Sequence, residues 1–297
     1  MFKDFKKKRR FTNGLMHTVF AIFSGTSVIV LLVILTSILL KGVPYLSWDF
    51  LANFPSRHAE DAGILPSLIG SLMIVAGSML IATPIGIATA LYLEEYAKSK
   101  RIANILQTLI FNLAGVPSIV YGIFGVAFFV MTIKTLLVFM NSTITTGRVL
   151  LAGILTMSIL ILPVIVVTTQ EALKTVPKTL KQASLALGAT DVQTSTKVTL
   201  KFAFPNILTG IILAIARVLG ETAPLLMVGA AGFITFIPTN LLASYTVLPV
   251  QIYNWMSRPQ IEFQSTAAAG IIVLLLLQLL FSGLAIFLRA KLQKRYE

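Results

Sequence analysis

Six long apolar runs constrain the fold of this sequence more than any single motif does. The runs cover about residues 17–40, 66–93, 102–133, 149–167, 206–229 and 263–288. A helix of about 20 apolar residues is long enough to cross a bilayer. Only 12% of the residues are charged, whereas soluble domains carry roughly 25%. The sequence therefore predicts an all-α, polytopic membrane protein with six transmembrane helices.

The basic residues are distributed unevenly between the two sides that six crossings define. Of the 24 Lys and Arg residues, six lie in the N-terminal tail, three in residues 98–101, five in residues 169–205 and four at the C-terminal end. The other connections carry only five, and Arg217 lies inside the fifth run. Cytoplasmic loops carry an excess of Lys and Arg. We therefore expect a multi-pass protein of the bacterial cytoplasmic membrane with both termini in the cytoplasm.

The composition disfavours several classes of function. The sequence has no cysteine, and its two histidines, His17 and His58, lack the spacing of a metal site. It contains no P-loop motif for binding ATP. Its cations lie at the ends of apolar runs, which argues against a nucleic-acid partner and for a lipid bilayer. We expect no catalytic residue, metal or cofactor in this chain.

The fifth run contains two opposite charges, Arg217 and Glu221. A charge at the centre of a membrane helix costs about 2.5–3.5 kcal/mol on insertion scales, so intramembrane charges point to function by default. Residues four apart share a helix face and can form an ion pair. Thr222 adds a hydroxyl, and Pro224 predicts a bend just beyond the pair. We expect Arg217 to attract an oxyanion that Glu221 moderates; the alternative is an ion pair that only fixes helix orientation.

The third run contains a second irregular site. Gly115, Pro117 and Gly122 predict a kink or break near membrane depth. The backbone groups that a break frees must face protein or a wet cavity. Ser118 and Tyr121 are therefore candidate residues of a substrate pathway; the alternative is a kinked packing helix. In the second run, Gly70, Gly77 and Gly86 predict close helix packing.

The basic connection between the fourth and fifth runs predicts two short helices outside the bilayer. Pro177 suits the start of the first, and Leu180, Ala183 and Leu187 give it an apolar face. Gly188 should end that helix, and Asp191 should cap a second helix over residues 192–202. Such a pair suits docking to another protein; the alternative is a basic loop with incidental helicity.

This connection resembles the EAA loop of ABC importer permeases. Gln182, Ala183 and Ser184 stand for E-A-A, Gly188 keeps its spacing, and Val198-x-Leu200 stands for the final hydrophobic pair. Gln182 replaces the acid, and Lys201 replaces the final proline. Three further stretches are similar to permease subunits of bacterial phosphate ABC importers: residues 84–96, 113–122 and 217–224.

The resemblance implies a type I ABC importer permease fold with cytoplasmic coupling helices. Within the family, the short inner termini and residues 247–253 look more PstA-like than PstC-like. The implied partners are a homologous PstC-like permease, two copies of a cytoplasmic ATPase that bind ATP and Mg, and an extracytoplasmic phosphate-binding protein. The implied ATPase-coupling residues are Gln182, Ala183, Ser184, Gly188 and Leu200, and the substrate pathway comprises Arg217, Glu221, Thr222, Ser118 and Tyr121.

On this interpretation the chain divides into four parts. Residues 1–14 form a basic cytoplasmic tail, residues 15–63 the first transmembrane helix and outer loop, residues 64–290 the importer transmembrane domain with its coupling loop at 170–205, and residues 291–297 a C-terminal cytoplasmic tail. Three alternatives remain: a permease for another oxyanion such as molybdate, tungstate or sulfate, a stand-alone secondary transporter or channel, and, least favoured, an intramembrane enzyme.

Overall fold

The computed structural model describes residues 2–97, 99–142 and 146–293. All regular structure in these ranges is helical. The helices are α1 (Phe2–Gly42), α2 (Trp48–Ala52), α3 (Leu65–Leu91), α4 (Lys100–Ala114), α5 (Ser118–Gly125), α6 (Met131–Phe139), α7 (Leu150–Lys174), α8 (Lys178–Ala186), α9 (Asp191–Gln193), α10 (Leu200–Gly220), α11 (Ala223–Val228), α12 (Leu248–Met256) and α13 (Glu262–Gln293). Wider π-helical turns over Tyr92–Tyr96, Val126–Val130 and Thr194–Thr199 extend α3, join α5 to α6, and join α9 to α10.

Six helical segments in the described residues are long and apolar enough to cross a membrane, which confirms the prediction of six. They are Thr12–Tyr45, Leu65–Tyr96, Ser118–Phe139, Leu150–Lys174, Asp191–Gly220 and Glu262–Lys291. Four of the six overlap the predicted runs closely. The third differs, because it begins at Ser118 rather than at residue 102, and the fifth differs, because it begins at Asp191 and ends at Gly220 instead of covering residues 206–229.

The first part of the third run forms a separate amphipathic helix, α4. Its Ala103 and Ile110 pack against the apolar cluster at the end of α7. Its Ile102, Ile105 and Leu109 are more than half exposed on another face. The kink or break predicted near Gly115 and Pro117 is present, because Pro117 lacks the N–H that a continuous helix would need and the chain turns there. The predicted start of the crossing at residue 102 was wrong, since the crossing segment begins at Ser118.

The central packing unit is the pair α3 and α7, which lie side by side in the same direction. A Cβ placed on Gly77 would lie 2.6 Å from Ile154 Cδ1, and one on Gly86 would lie 2.6 Å from Ile165 Cγ2. The glycines thus let the two backbones approach closely. Lipid gives no hydrophobic drive for helix association, so such close contact is the main source of packing energy. The prediction from the glycine spacing is confirmed.

Helix α10 runs against α7 in the opposite direction. Gly210 lies against Thr168, and Asn206 Nδ2 donates to Thr175 Oγ1 over 3.3 Å. The C-terminal end of α13 lies next to the end of α7 and the start of α10. Arg289 of α13 and Glu171 of α7 both line a cleft of about 390 Å³ between these three helices. The described basic residues that follow α7 and end α13 are thereby gathered at one end of the bundle, which we call the basic end.

Helix α1 is the least integrated of the long segments. Its apolar side chains are largely exposed from Leu15 to Leu40. Close packing occurs where it ends, because a Cβ on Gly42 would lie 2.7 Å from the Ala268 backbone of α13. At the same end of the bundle, Tyr245 and Trp255 are fully buried in the segment that connects α11 to α13.

Candidate functional site

The two charges of the fifth run form an ion pair at a helix break. Arg217 Nε lies 3.6 Å from Glu221 Oε1, with 31% and 19% of the side chains exposed. The expected pairing is therefore present, but the expected shared helix face is wrong. Helix α10 ends at Gly220, and Glu221 has extended backbone (φ −78°, ψ 127°). The break precedes Pro224, which instead occupies the first turn of α11.

The break in the third run lies between α4 and α5. Tyr121 bridges it, because its hydroxyl donates a 2.7 Å hydrogen bond to the carbonyl of Leu113 near the end of α4. The carbonyls at a helix end have no partner within the helix. The Leu113 carbonyl also accepts from Val116 N over 3.1 Å, so Tyr121 adds a second donor to it, and the Tyr121 side chain is itself buried.

Close packing of α5 on α11 brings the two breaks together. A Cβ on Gly122 would lie 2.7 Å from Pro224 Cα and 3.0 Å from Met227 Cβ. Gly125, one turn further along α5, lies against Thr156 of α7 and Val228 of α11. Each of the two helices begins directly after its break, so both breaks lie on the same side of this contact.

The remaining predicted pathway residues lie around this contact. Ser118 begins α5, is partly buried and is three residues from Tyr121, so it shares the face of α5 that carries Gly122 and Gly125. Thr222 is the partly buried residue between α10 and α11, and its carbonyl accepts from Leu226 N. Arg217 and the Tyr121 hydroxyl each lie next to one of the two breaks, on the same side of this contact.

A cavity of about 220 Å³ lies beside the break in the third run. Its walls are apolar and include Tyr121 but not Ser118; the lining residues are Leu113, Val116, Val120, Tyr121, Phe124 and Ile159. Neither Arg217 nor Glu221 lines this cavity, so it is not a polar chamber around the charged pair.

The predicted docking segment has its expected turn but a different second half. Helix α8 follows Pro177, and Gly188 ends it with φ +84°, a conformation that favours glycine. The cap of the next helix is Thr190, not Asp191: Thr190 and Gln193 form a capping box with bonds of 3.2 and 3.0 Å. The expected short helix over residues 192–202 is instead the start of one helical segment, Asp191–Gly220.

The coupling residues expected from the resemblance are divided between surface and interior. Gln182, Ala183 and Gly188 are exposed at the basic end of the bundle. Ser184 is partly buried and its hydroxyl lies 2.9 Å from that of Thr194, while Leu200 packs against the cluster beneath. Of the three residues of the predicted apolar face of α8, Leu180 packs inward, whereas Ala183 and Leu187 are exposed, Leu187 to 89%.

Two functional candidates that sequence reasoning missed are Glu94 and Glu95, on the π-helical turn after α3. Glu95 forms an ion pair with Lys181 on α8. Glu94 lies 3.4 Å from Lys174 Nζ and accepts a 3.1 Å hydrogen bond from Gln170. The only signal in the sequence was an acidic pair inside an otherwise basic end.

Comparison with known proteins places the chain in a family. Residues 82–294 match the family described as binding-protein-dependent transport system inner membrane component. The chain belongs to this family. It is thus a multi-pass membrane permease of an ABC importer, a transport subunit rather than a catalytic one, and such permeases work with an ATPase and a binding protein.

The similar proteins identify a branch of this permease family. The chain is 35% identical over 237 residues to the phosphate transport system permease protein PstA of Haemophilus influenzae, covering 80% of this chain and 79% of that protein. It is 33% identical to PstA of Pasteurella multocida, covering 92% and 93%. It is 32% identical to the probable ABC transporter permease protein YqgI of Bacillus subtilis, covering 97% and 98%. The permease is therefore of the PstA type.

Solved importers share the fold. A chain of a bacterial alginate ABC transporter, crystallised with an alginate-bound periplasmic protein, matches with a TM-score of 0.64 at 17% identity, covering 96% of this chain and 95% of that one. A chain of the MetNI methionine transporter matches with a TM-score of 0.54 at 18% identity, covering 75% and 94%. The predicted type I importer permease fold is confirmed.

Proposed function

We propose that this permease moves inorganic phosphate across the bacterial cytoplasmic membrane, past the ion pair of Arg217 and Glu221. The relatives that are 30–35% identical to it over most of its length include phosphate permeases of the PstA type. The observation that carries the proposal is the position of Arg217 at a helix break, close to a second break. Broken membrane helices are a recurring way to build ion and substrate sites.

The geometry of Arg217 suits weak, reversible contact with phosphate. Glu221 contacts the guanidinium at Nε, and no hydrogen bond to the guanidinium is found among the described residues, which leaves Nη1 and Nη2 available to an anion. A guanidinium edge with two N–H groups matches two oxygens of a phosphate. Conduction also requires release. The carboxylate of Glu221 lowers the local positive potential and thereby keeps the anion from being held tightly.

Hydroxyl groups supply the other contacts in this proposal. Thr222 lies next to Glu221, and Ser118 lies at the start of α5. Each hydroxyl can donate to a phosphate oxygen. Tyr121 has a structural role, because its hydroxyl proton is already donated to the Leu113 carbonyl. It stabilises the α4–α5 break and has no proton left to donate to phosphate.

The energy for transport comes, in this proposal, from an ATPase that docks on α8. The exposed residues Gln182, Ala183, Leu187 and Gly188 form the contact surface, and Ser184 and Leu200 attach it to the bundle. The full assembly comprises this chain, a PstC-like permease, two ATPase copies that bind ATP and Mg, and an external phosphate-binding protein. The basic end of the bundle, with both termini, then faces the cytoplasm, in accord with the positive-inside rule.

Substrate competition in proteoliposomes tests the proposed substrate. The complete complex with its binding protein should accumulate labelled phosphate when ATP is enclosed with the ATPase, and unlabelled phosphate should compete better than molybdate, tungstate or sulfate. Stimulation of ATP hydrolysis should follow the same order. If molybdate or sulfate were the stronger competitor and stimulant, the permease would serve another oxyanion.

A further inference from the structure

A connected group of polar side chains joins the docking helix to the broken helix. On one side, Glu95 contacts Lys181 of α8. On the other, Gln170 Nε2 of α7 donates to Glu94 Oε1 over 3.1 Å and to Gln107 Oε1 of α4 over 3.4 Å. The acidic pair Glu94–Glu95 stands at the centre, so three helices meet at one turn of the chain. We call this group the α3 junction.

The junction is shielded enough for its contacts to matter energetically. Gln170 is 2% exposed, and the side chains of Glu95 and Lys181 are 15% and 26% exposed. Fully exposed ion pairs contribute little, because water screens them and the side chains lose entropy. Contacts as protected as these are screened less. Removal of one charge would also leave its partner partly buried without compensation.

The backbone at the junction explains how adjacent acids reach different helices. Residues Tyr92–Tyr96 form a π-helical turn at the end of α3. Such a turn is wider than an α-helical turn and is frequent at functional sites. Adjacent side chains of a helical turn point in different directions, so Glu94 reaches Gln170 on α7 while Glu95 reaches Lys181 on α8.

The junction leads to the substrate site through a short path. Gln107 lies on α4, and α4 ends at Ala114, directly before the break that Tyr121 bridges. Beyond the break, α5 packs on α11 next to Glu221. A displacement of α8 that is passed to α4 therefore reaches the break without crossing a flexible loop.

We propose that Glu94 and Glu95 are positioning residues that transmit the movement of α8 to α4 and so to the break beside Arg217. This inference depends on the proposed function, since it takes α8 as the ATPase docking helix. The ion pair Glu95–Lys181 transmits the displacement of α8 to the end of α3, and the hydrogen bonds Glu94–Gln170–Gln107 transmit it to α4. Without these contacts the complex still hydrolyses ATP, but hydrolysis no longer drives transport.

Charge reversal in the complete complex tests this assignment. In proteoliposomes, Glu95→Lys and Lys181→Glu should each lower the phosphate taken up per ATP hydrolysed several-fold, and the double variant should return the ratio to within about twofold of the parent. The ratio is informative because a merely structural defect reduces the amount of complex, and thus uptake and hydrolysis together. Glu171→Lys is the matched control, since Glu171 is an exposed acid at the same end with no described ion pair; its ratio should not change.

A second variant covers the case in which charge reversal prevents assembly. Glu95→Gln is nearly isosteric and keeps an acceptor for Lys181, so it should assemble and lower the ratio by less than Glu95→Lys does. An unchanged ratio in Glu95→Gln and in both single reversals, or no recovery in the double variant, would overturn the inference. Failure of the parent complex to take up phosphate with ATP would instead refute the proposed function.

Discussion

Gly122 on α5 lies against Pro224 on α11 so closely that a Cβ on the glycine would be 2.7 Å from the proline Cα. This contact joins the third and fifth membrane segments directly after their breaks. It therefore sets the distance between Tyr121 on one segment and the ion pair on the other. The close approach is possible because one partner has no side chain and the other is a rigid ring in a first helical turn.

The first prediction concerns this contact. Gly122→Val should force α5 and α11 apart and lower the free energy of unfolding by about 1–3 kcal/mol, the usual cost of overpacking. Uptake should fall as well, because the separation displaces Tyr121 from Arg217. The matched control is Gly283→Val, since a Cβ there meets no neighbour within 4 Å. Thermal unfolding of the two purified complexes measures the difference. Similar midpoints for Gly122→Val and Gly283→Val would contradict this account of the contact.

The second prediction concerns the guanidinium of Arg217. Arg217→Gln removes the charge and should lower phosphate uptake about tenfold or more, since a hydrogen bond to a charged group contributes about 1.5–3 kcal/mol. The uptake rate of Arg217→Lys should lie between those of the parent and Arg217→Gln, because lysine keeps the charge but lacks the planar guanidinium. Initial uptake rates at equal amounts of complex give the comparison. Parental rates in Arg217→Gln would mean that the ion pair serves only to orient helices.

The third prediction concerns Gly188 and asks whether its backbone conformation, rather than the small size of its side chain, is what docking requires. A β-branched residue is strained at φ +84°, whereas asparagine adopts this region readily. No neighbour in the chain limits the size of a side chain there. Gly188→Val should therefore abolish ATP-driven uptake while membrane insertion survives, and Gly188→Asn should retain part of it. Normal uptake in Gly188→Val would remove the docking role of this turn.

The fourth prediction concerns the hydrogen bond that closes the α4–α5 break. Tyr121→Phe removes one of the two hydrogen bonds that the Leu113 carbonyl accepts, the other coming from Val116 N. It should cost about 0.5–1.5 kcal/mol of stability, the usual net contribution of one hydrogen bond. Tyr253→Phe removes the hydroxyl of an exposed tyrosine and serves as the control. Denaturation midpoints compare the two. An equal effect of both substitutions would show that the bond to Leu113 does not stabilise the break.

Much of the architecture follows from patterns that are local in the sequence. The six crossings depend on the length of apolar runs, and the glycines of α3 predict close packing wherever that helix finds a partner. The turn at Gly188 likewise depends on one residue and its neighbours. These features can be predicted from the sequence without knowing which helices contact each other.

The features that were missed depend on distant partners or on competition between nearby residues. Glu95 and Lys181 are 86 positions apart, and Glu94 and Gln170 are 76 apart, so no window of sequence contains both members of either pair. Thr190 and Asp191 both suit a helix cap, and only the reciprocal bond with Gln193 decides between them. The end of α10 at Gly220 also depends on context, because the i, i+4 spacing of Arg217 and Glu221 alone favours a continuous helix.

Reconstitution with and without the partner subunits tests the central claim most directly. The claim is that this permease forms half of a phosphate route that only an attached ATPase can drive. Liposomes containing the purified chain alone should accumulate no phosphate above the outside concentration, with or without ATP. Liposomes containing the whole complex and the binding protein should do so only with ATP. Accumulation by the chain alone, without nucleotide, would contradict the account.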